Sequence, residues 1–241
     1  LLAEWRAIFA VMAGFALLLL LGLPTLRESR SGETAANARA EGPFAAYAAL
    51  LSNRALLGYL LASMCNGAGF FAYIANSSVV LSGGYGLSAG EFSLLFGANS
   101  IALVGAAQWN RRMLKTHTPE AMLRLSARNA LILAGLLLGF AATGLGGLWS
   151  LCAILFFVVG SVSPVQANTM AGGLAIDPLR AGSAAALFGV ASFAGGVLTS
   201  VVAGLLYDGS ARGLTLVSGC CLIGVALAIR LLILPQRAQL T

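Results

Sequence analysis

GAAQWNRRMLKTHTPEAMLRLSAR, residues 105–128, orients the rest of this chain. It gathers Arg111, Arg112, Lys115, Arg124 and Arg128 between two long apolar runs, whereas most other connections between apolar runs are nearly free of Lys and Arg. Basic residues in a short connection stay on the cytoplasmic face of a bilayer. This segment therefore sets the direction in which every neighbouring run crosses. Composition supports the membrane reading: with 59% hydrophobic residues, 9% charged residues and a mean hydropathy of +0.91 across 241 residues, there are too few charges to cover a soluble surface.

Working outward, apolar runs at about 90–110 and 127–146 flank the basic stretch. Beyond them lie runs at about 54–77, 149–173, 181–206 and 213–234, and a first run from about Ile8 to Leu26. Each is close to the roughly 20 residues a hydrocarbon core requires, so the sequence predicts an all-α membrane protein with seven transmembrane helices. With residues 105–128 cytoplasmic, the segments 27–53 and 174–180 and the C-terminus are cytoplasmic too. Twelve of the fourteen basic residues then lie at or near that side, leaving Arg6 and Arg212 outside. The polar segment 27–52, with Arg27, Arg30 and Arg39 among Glu28, Glu33 and Glu41, is the strongest boundary; its PFAAYAALL end predicts a short interfacial helix. A chain that starts outside with Leu and lacks a secretory signal reads as part of a longer protein.

A net charge of +6 and a pI near 9.6 do not indicate a nucleic-acid partner, because the basic residues sit at span ends and not along one face. Cys65, Cys152, Cys220 and Cys221 lie inside apolar runs without metal spacing and read as small buried hydrophobes. No metal or cofactor is expected. With a single His and no HExxH, GxSxG or clustered carboxylates, no catalytic set is recognisable, so the chain does not read as an enzyme.

Polar residues inside spans mark the candidate site. Asn66, Phe70, Tyr73 and Ser77 recur at helical spacing on one stripe; Phe92, Phe96 and Asn99 repeat the pattern on the next span. The run 149–173 is interrupted by Pro164 and brings Ser161, Ser163, Gln166, Asn168 and Thr169 into its inner half. Such groups are costly in hydrocarbon unless they meet one another or a wet cavity. Two readings stay open, hydrogen bonding that merely holds helices together and a cavity that binds partly polar molecules. Small residues at Ser192, Gly196, Ser200 and Gly204 predict close approach of another helix, static or sliding. The runs 127–146 and 213–234, nearly devoid of polar side chains at mid-depth, read as lipid-facing.

These pieces resemble a known family. WRAIF at 5–9, FFAYIANSSVVL at 70–81, YGLSAGEFSLLFGAN at 85–99 and AGSAAALFG at 181–189 are similar to the C-terminal half of major facilitator superfamily transporters, in particular the bicyclomycin-resistance (Bcr/CflA-type) drug:proton antiporters. The resemblance implies that residues 1–26 are the last helix of an N-terminal half, 27–52 the cytoplasmic linker, and 53–241 the C-terminal six-helix bundle of a major facilitator fold. It implies efflux of small drug-like molecules across the bacterial cytoplasmic (inner) membrane by proton antiport. The expected partners are the substrate, protons, membrane lipids and the missing N-terminal half. The substrate-binding candidates are Asn66, Phe70, Tyr73, Asn99, Gln166 and Ser192.

Two departures stand out. Asn76-Ser77-Ser78 replaces the family's Gly-Ser-Pro, which removes the expected kink. The superfamily's loop pattern G-x-x-x-D-R-x-G-R-R survives only as Gly105 followed by Trp109, Asn110, Arg111 and Arg112, so the latch associated with it lacks its carboxylate. No carboxylate or His lies at mid-depth, which points proton coupling to Glu91 or to the missing half. The alternative is a seven-helix receptor or a structural membrane subunit without transport activity. A retinal Schiff base within the bundle is excluded because the only lysine, Lys115, lies in the basic connection.

Overall fold

The computed structural model describes residues 2–25 and 42–237 and divides the chain into two compact units, 1–41 and 42–241. The expected linker charges at 27–41 lie outside the described residues. In the first unit, α1 (Leu2–Gly22) is followed by a 3-10 turn, Leu23–Thr25, at Pro24. Its apolar run, Arg6–Thr25, is long enough to cross a membrane.

The second unit begins with α2 (Pro43–Ser52), started by Pro at its first turn and anchored by the buried Ala46 and Leu50. Six long helices follow: α3 (Arg54–Ser78), α4 (Ala89–Met113), α5 (Pro119–Thr143), α6 (Gly147–Leu174), α7 (Ala181–Leu205) and α8 (Arg212–Leu227). Among the described residues, seven helices including α1 are long and apolar enough to span a bilayer. Local chemistry sets their ends. Asn53 caps α3, and a reciprocal Ser88–Glu91 box starts α4. Thr118 with Pro119 opens α5, which closes on Gly144 at φ 63°.

The basic stretch is more helical than its sequence suggests. Leu114–Thr118 is its only non-helical part; Arg111 and Arg112 occupy the last turn of α4, and Arg124 and Arg128 the first three turns of α5. The expected start of the second span near residue 127 moves back to 119. Long basic side chains on a helix keep their charges in water while the backbone continues inward, so the helix outruns its apolar core. Arg212, on the opposite side, donates from Nε to the Ala141 carbonyl (3.1 Å), satisfying an orphan acceptor near the end of α5.

Pro164 does not interrupt α6, which runs unbroken through it; the proline forgoes one backbone bond, and the helix survives within its packing. After Ser78, α3 widens into a π-helical turn, Val79–Gly84, so the backbone does depart from regular helix there without Gly-Ser-Pro. Asn76 Nδ2 bonds the Ala72 carbonyl (3.0 Å) and the Ser200 carbonyl (3.2 Å) immediately before that turn. A second π turn, Ala228–Ile233, follows α8 and is succeeded by the short helix Leu234–Arg237.

α3 is the hub, packing on α6, α7 and α8. Its closest partner is α7, through the small-residue stripe: a Cβ on Gly67 would lie 2.7 Å from Ser192 Cβ, and one on Gly196 would lie 2.7 Å from Phe71 Cβ. Thr199 Oγ1 donates to the Ala68 carbonyl (2.7 Å) and Ser200 Oγ to the Phe71 carbonyl (3.1 Å) across the same interface. The two helices expected to face lipid, α5 and α8, pack closely on each other, and α8 also packs on α3. The least covered helices of the bundle are instead α4 and α7. Apolar composition suits contact with lipid and with another apolar helix equally, so it does not reveal how much of a helix is covered.

Two apolar clusters fill the bundle. One, toward the basic end, includes Leu56, Tyr59, Leu123, Leu137, Phe188, Val225 and Ile229. The other, toward the opposite end, includes Tyr73, Val80, Phe140, Leu151, Leu155 and Leu214. Along α3, Ser63 and Asn66 border the first cluster, against which Cys65 between them packs, and precede Phe70, Ala72 and Tyr73 of the second.

Candidate functional site

Four polar side chains from three helices meet between the apolar clusters. Ser63 Oγ donates to Gln166 Oε1 (3.1 Å) and lies 3.2 Å from Ser192 Oγ. Asn66 Nδ2 donates to the Val162 carbonyl (3.1 Å) and, at 3.4 Å, to Gln166 Oε1. Gln166 Oε1 is thus a shared acceptor for α3. The Nε2 hydrogens of Gln166 make no hydrogen bond to any described residue, and its side chain is half-buried while Ser63, Asn66 and Ser192 are buried. An amide with its oxygen fixed and its NH2 group uncommitted can offer two donors to an incoming acceptor.

A second cluster lies farther along α3. Asn99 Nδ2 donates to Tyr73 Oη at 2.7 Å, and the Tyr73 ring stacks on Phe96 with centroids 6.0 Å apart and planes 11° apart. Phe92 adds an aromatic contact to Phe96 at 5.8 Å. Tyr73 and Asn99 are 2% and 7% exposed, so this bond is protected inside the bundle and orders the exposed Phe96 ring beside it. Phe70 takes a place between the two groups, half-buried, with its ring 5.9 Å from that of Phe71. Phe71 in turn meets Phe193 at 4.9 Å.

The six sequence-selected residues therefore fall into Asn66, Gln166 and Ser192 in one network, Tyr73 and Asn99 in another, and Phe70 between them. Ser63, which joins the first network, is not among those six, although it lies three residues before Asn66 on the same helical stripe. A third pair sits near the basic end, where Asn110 and Asn168 exchange reciprocal amide bonds of 3.4 and 3.0 Å and tie α4 to α6. Asn110 belongs to the sequence pattern after Gly105. Gly105 itself faces open space, and Arg111 and Arg112 are exposed and make no ion pair with a described residue. Among the described residues, no three side chains of the metal-ligating kinds come together.

Residues 1–199 match the family described as Major Facilitator Superfamily. The chain is 31% identical over 177 residues to the bicyclomycin resistance protein homolog of Haemophilus influenzae, covering 73% of this chain and 44% of that protein. It is 29% identical over 205 residues to the uncharacterized MFS-type transporter YdgK of Bacillus subtilis, covering 84% of this chain and 50% of that protein. The chain thus spans about half the length of these curated relatives. No solved structure matches it.

Proposed function

Because the chain belongs to the Major Facilitator Superfamily, we propose that it forms the C-terminal half of a secondary carrier that exports small drug-like molecules. It is a multi-pass protein of the bacterial cytoplasmic membrane. In this reading residues 1–26 close an N-terminal half, 27–52 link the halves, and 53–241 supply one wall of a central cavity. The observation that carries the reading is the polar network of Ser63, Asn66, Gln166 and Ser192 on α3, α6 and α7, set between two apolar clusters. Polar groups at that depth suit a substrate site near the bilayer midplane.

Gln166 presents its NH2 group to an acceptor on the substrate, Asn66 and Ser192 hold the network to which Gln166 belongs, and Phe70, Phe96 and Tyr73 supply aromatic contact that tolerates varied shapes. Asn99 positions Tyr73. Rocking of this half against the other, with α3 and α7 moving as one unit through their close contact, would expose the site alternately to each side. Proton antiport needs a titratable group in the transport path. The described carboxylates lie at helix starts or in turns, with Glu91 and Glu120 in the first turns of α4 and α5, and Asp177 and Asp208 between helices. Glu91, tied to Ser88, is this chain's candidate; the other is a group in the N-terminal half.

The test is transport of bicyclomycin by the full polypeptide in vesicles with an imposed proton gradient. The expected result is gradient-dependent uptake into inverted vesicles, with Gln166→Ala raising the half-saturation concentration about tenfold, the effect of losing hydrogen bonds worth about 1.4 kcal/mol. Transport unaffected by collapsing the gradient would overturn the antiport reading. Unchanged kinetics in Gln166→Ala would remove the network from the substrate site.

A further inference from the structure

A cleft of about 780 Å³ opens on a different side of the bundle, between α4 and α5, with α6 as its floor. The two helices diverge from the five-residue turn Leu114–Thr118 and scarcely touch each other. Ile101 on α4, Ile132 and Leu136 on α5, and Phe156 and Phe157 on α6 line its apolar length. Ile101, Ile132, Leu136 and Phe157 are between 49% and 72% exposed, so the cleft is an open groove. From Trp109 to Ile101 it follows eight residues of α4, about 12 Å of helix.

The end nearest the turn changes in chemistry. Trp109, Asn129, Ser161 and Pro164 are shared with a small adjoining recess of about 30 Å³ that also takes in Ser126. That recess has room for one water-sized polar group. Ser126 is only 7% exposed, lines the recess, and has no hydrogen-bond partner among the described residues; the Asn129 amide and the Trp109 indole also make none. With the hydroxyl, the amide and the indole N–H at this end all uncommitted, donors remain for a ligand atom placed in the recess.

One turn farther along are the charges. Arg112 follows Trp109 by three residues, Arg128 adjoins Asn129, and Arg111, Lys115 and Arg124 complete the cluster. All five are exposed, and none makes an ion pair with a described residue. Cations, then hydrogen-bond donors, then apolar wall follow one another along the groove in the order phosphate, ester and acyl chain. We propose that the groove between α4 and α5 seats an anionic phospholipid. Its phosphate lies among Arg111, Arg112 and Arg128, an ester carbonyl accepts from Ser126 or Asn129, and one acyl chain runs along α6 toward Ile101 and Leu136. Gly105, where a Cβ would stand in open space, keeps the middle of the groove open.

The experiment uses the full polypeptide in nanodiscs that contain a phospholipid with a photoactivatable diazirine in its acyl chain, either phosphatidylglycerol or phosphatidylcholine, at the same trace fraction. Labelled peptides are mapped by mass spectrometry. The expected result is labelling of the groove segments of α4, α5 and α6 by the phosphatidylglycerol probe in excess over the phosphatidylcholine probe. That excess should fall about fivefold with each of the substitutions Arg111→Gln, Arg112→Gln and Arg128→Gln. Gly105→Leu, which fills the groove, should suppress labelling by both probes. Gly189→Leu, an equally open helical glycine on α7, should leave labelling unchanged and shows that a leucine in an open helical position is tolerated. Equal labelling by the two probes would overturn the proposal. So would labelling indifferent to Gly105→Leu, or an unlabelled groove covered by protein.

Discussion

Gly67→Ala is the sharpest test of how the bundle is held together. A methyl at Gly67 of α3 would lie 2.7 Å from Ser192 Cβ, 3.0 Å from Ser192 Cα and 3.1 Å from the Ser192 carbonyl. Two of these three neighbours are backbone, so no rotamer change relieves the clash. Reaching an ordinary carbon separation means moving α3 and α7 apart by about 1 Å. Overpacking of this kind costs about 1–3 kcal/mol. Separation also stretches three interhelical hydrogen bonds, Ser63 to Ser192, Thr199 to Ala68 and Ser200 to Phe71, each worth about 0.6 kcal/mol within a membrane. Replacing a helical glycine by alanine returns about 1 kcal/mol. The net expectation is a loss of about 2–4 kcal/mol, measured by equilibrium unfolding in mixed detergent with a thiol dye that reports exposure of the half-buried Cys65 and Cys221. Adding Ser192→Gly removes the opposing Cβ and should recover part of the loss, giving a coupling of at least about 1 kcal/mol in the double-mutant cycle. Gly189→Ala, into open space, should be neutral or mildly stabilising. A Gly67→Ala loss under about 0.5 kcal/mol, the level of an ordinary surface change, would refute the close-contact account.

Two further expectations concern the ends of the bundle. In the turn between α7 and α8, the Ser210 hydroxyl and then its backbone N–H hold the Asp208 carboxyl below the ordinary aspartate range, so its contribution to the turn is present at neutral pH and fades as pH falls through the lowered value; an NMR titration of carboxyl-labelled Asp208 should find its midpoint below 3.8, rising toward that value in Ser210→Ala. For orientation, in a background lacking the four cysteines, Lys115→Cys should be shielded from a membrane-impermeant thiol reagent in intact cells while Leu145→Cys is labelled; the reverse pattern would invert the topology.

The class of fold and the approximate place of each span are legible in the residues alone, because hydrocarbon imposes a length and an apolar content that can be read residue by residue. The sequence also marks the stripe Ser192, Gly196, Ser200, Gly204 as a close contact, since small side chains at a spacing of four have few other uses in a helix. The stripe's partner was not legible: only the tertiary structure pairs it with Gly67 and Phe71 of α3. The candidate site was legible as a set of expensive residue types and not as an arrangement. Asn66 and Asn99 look equivalent in sequence, yet one meets Gln166 and the other Tyr73, because which faces meet depends on helix rotation and neighbour identity. Pro164 reads as a break, but packing on both sides sustains α6 through it. The groove between α4 and α5 left no local signal at all, since it arises from the divergence of two helices over a third, and Ser126 is an ordinary hydroxyl until that divergence sets it, without a hydrogen-bond partner among the described residues, on the wall of the recess.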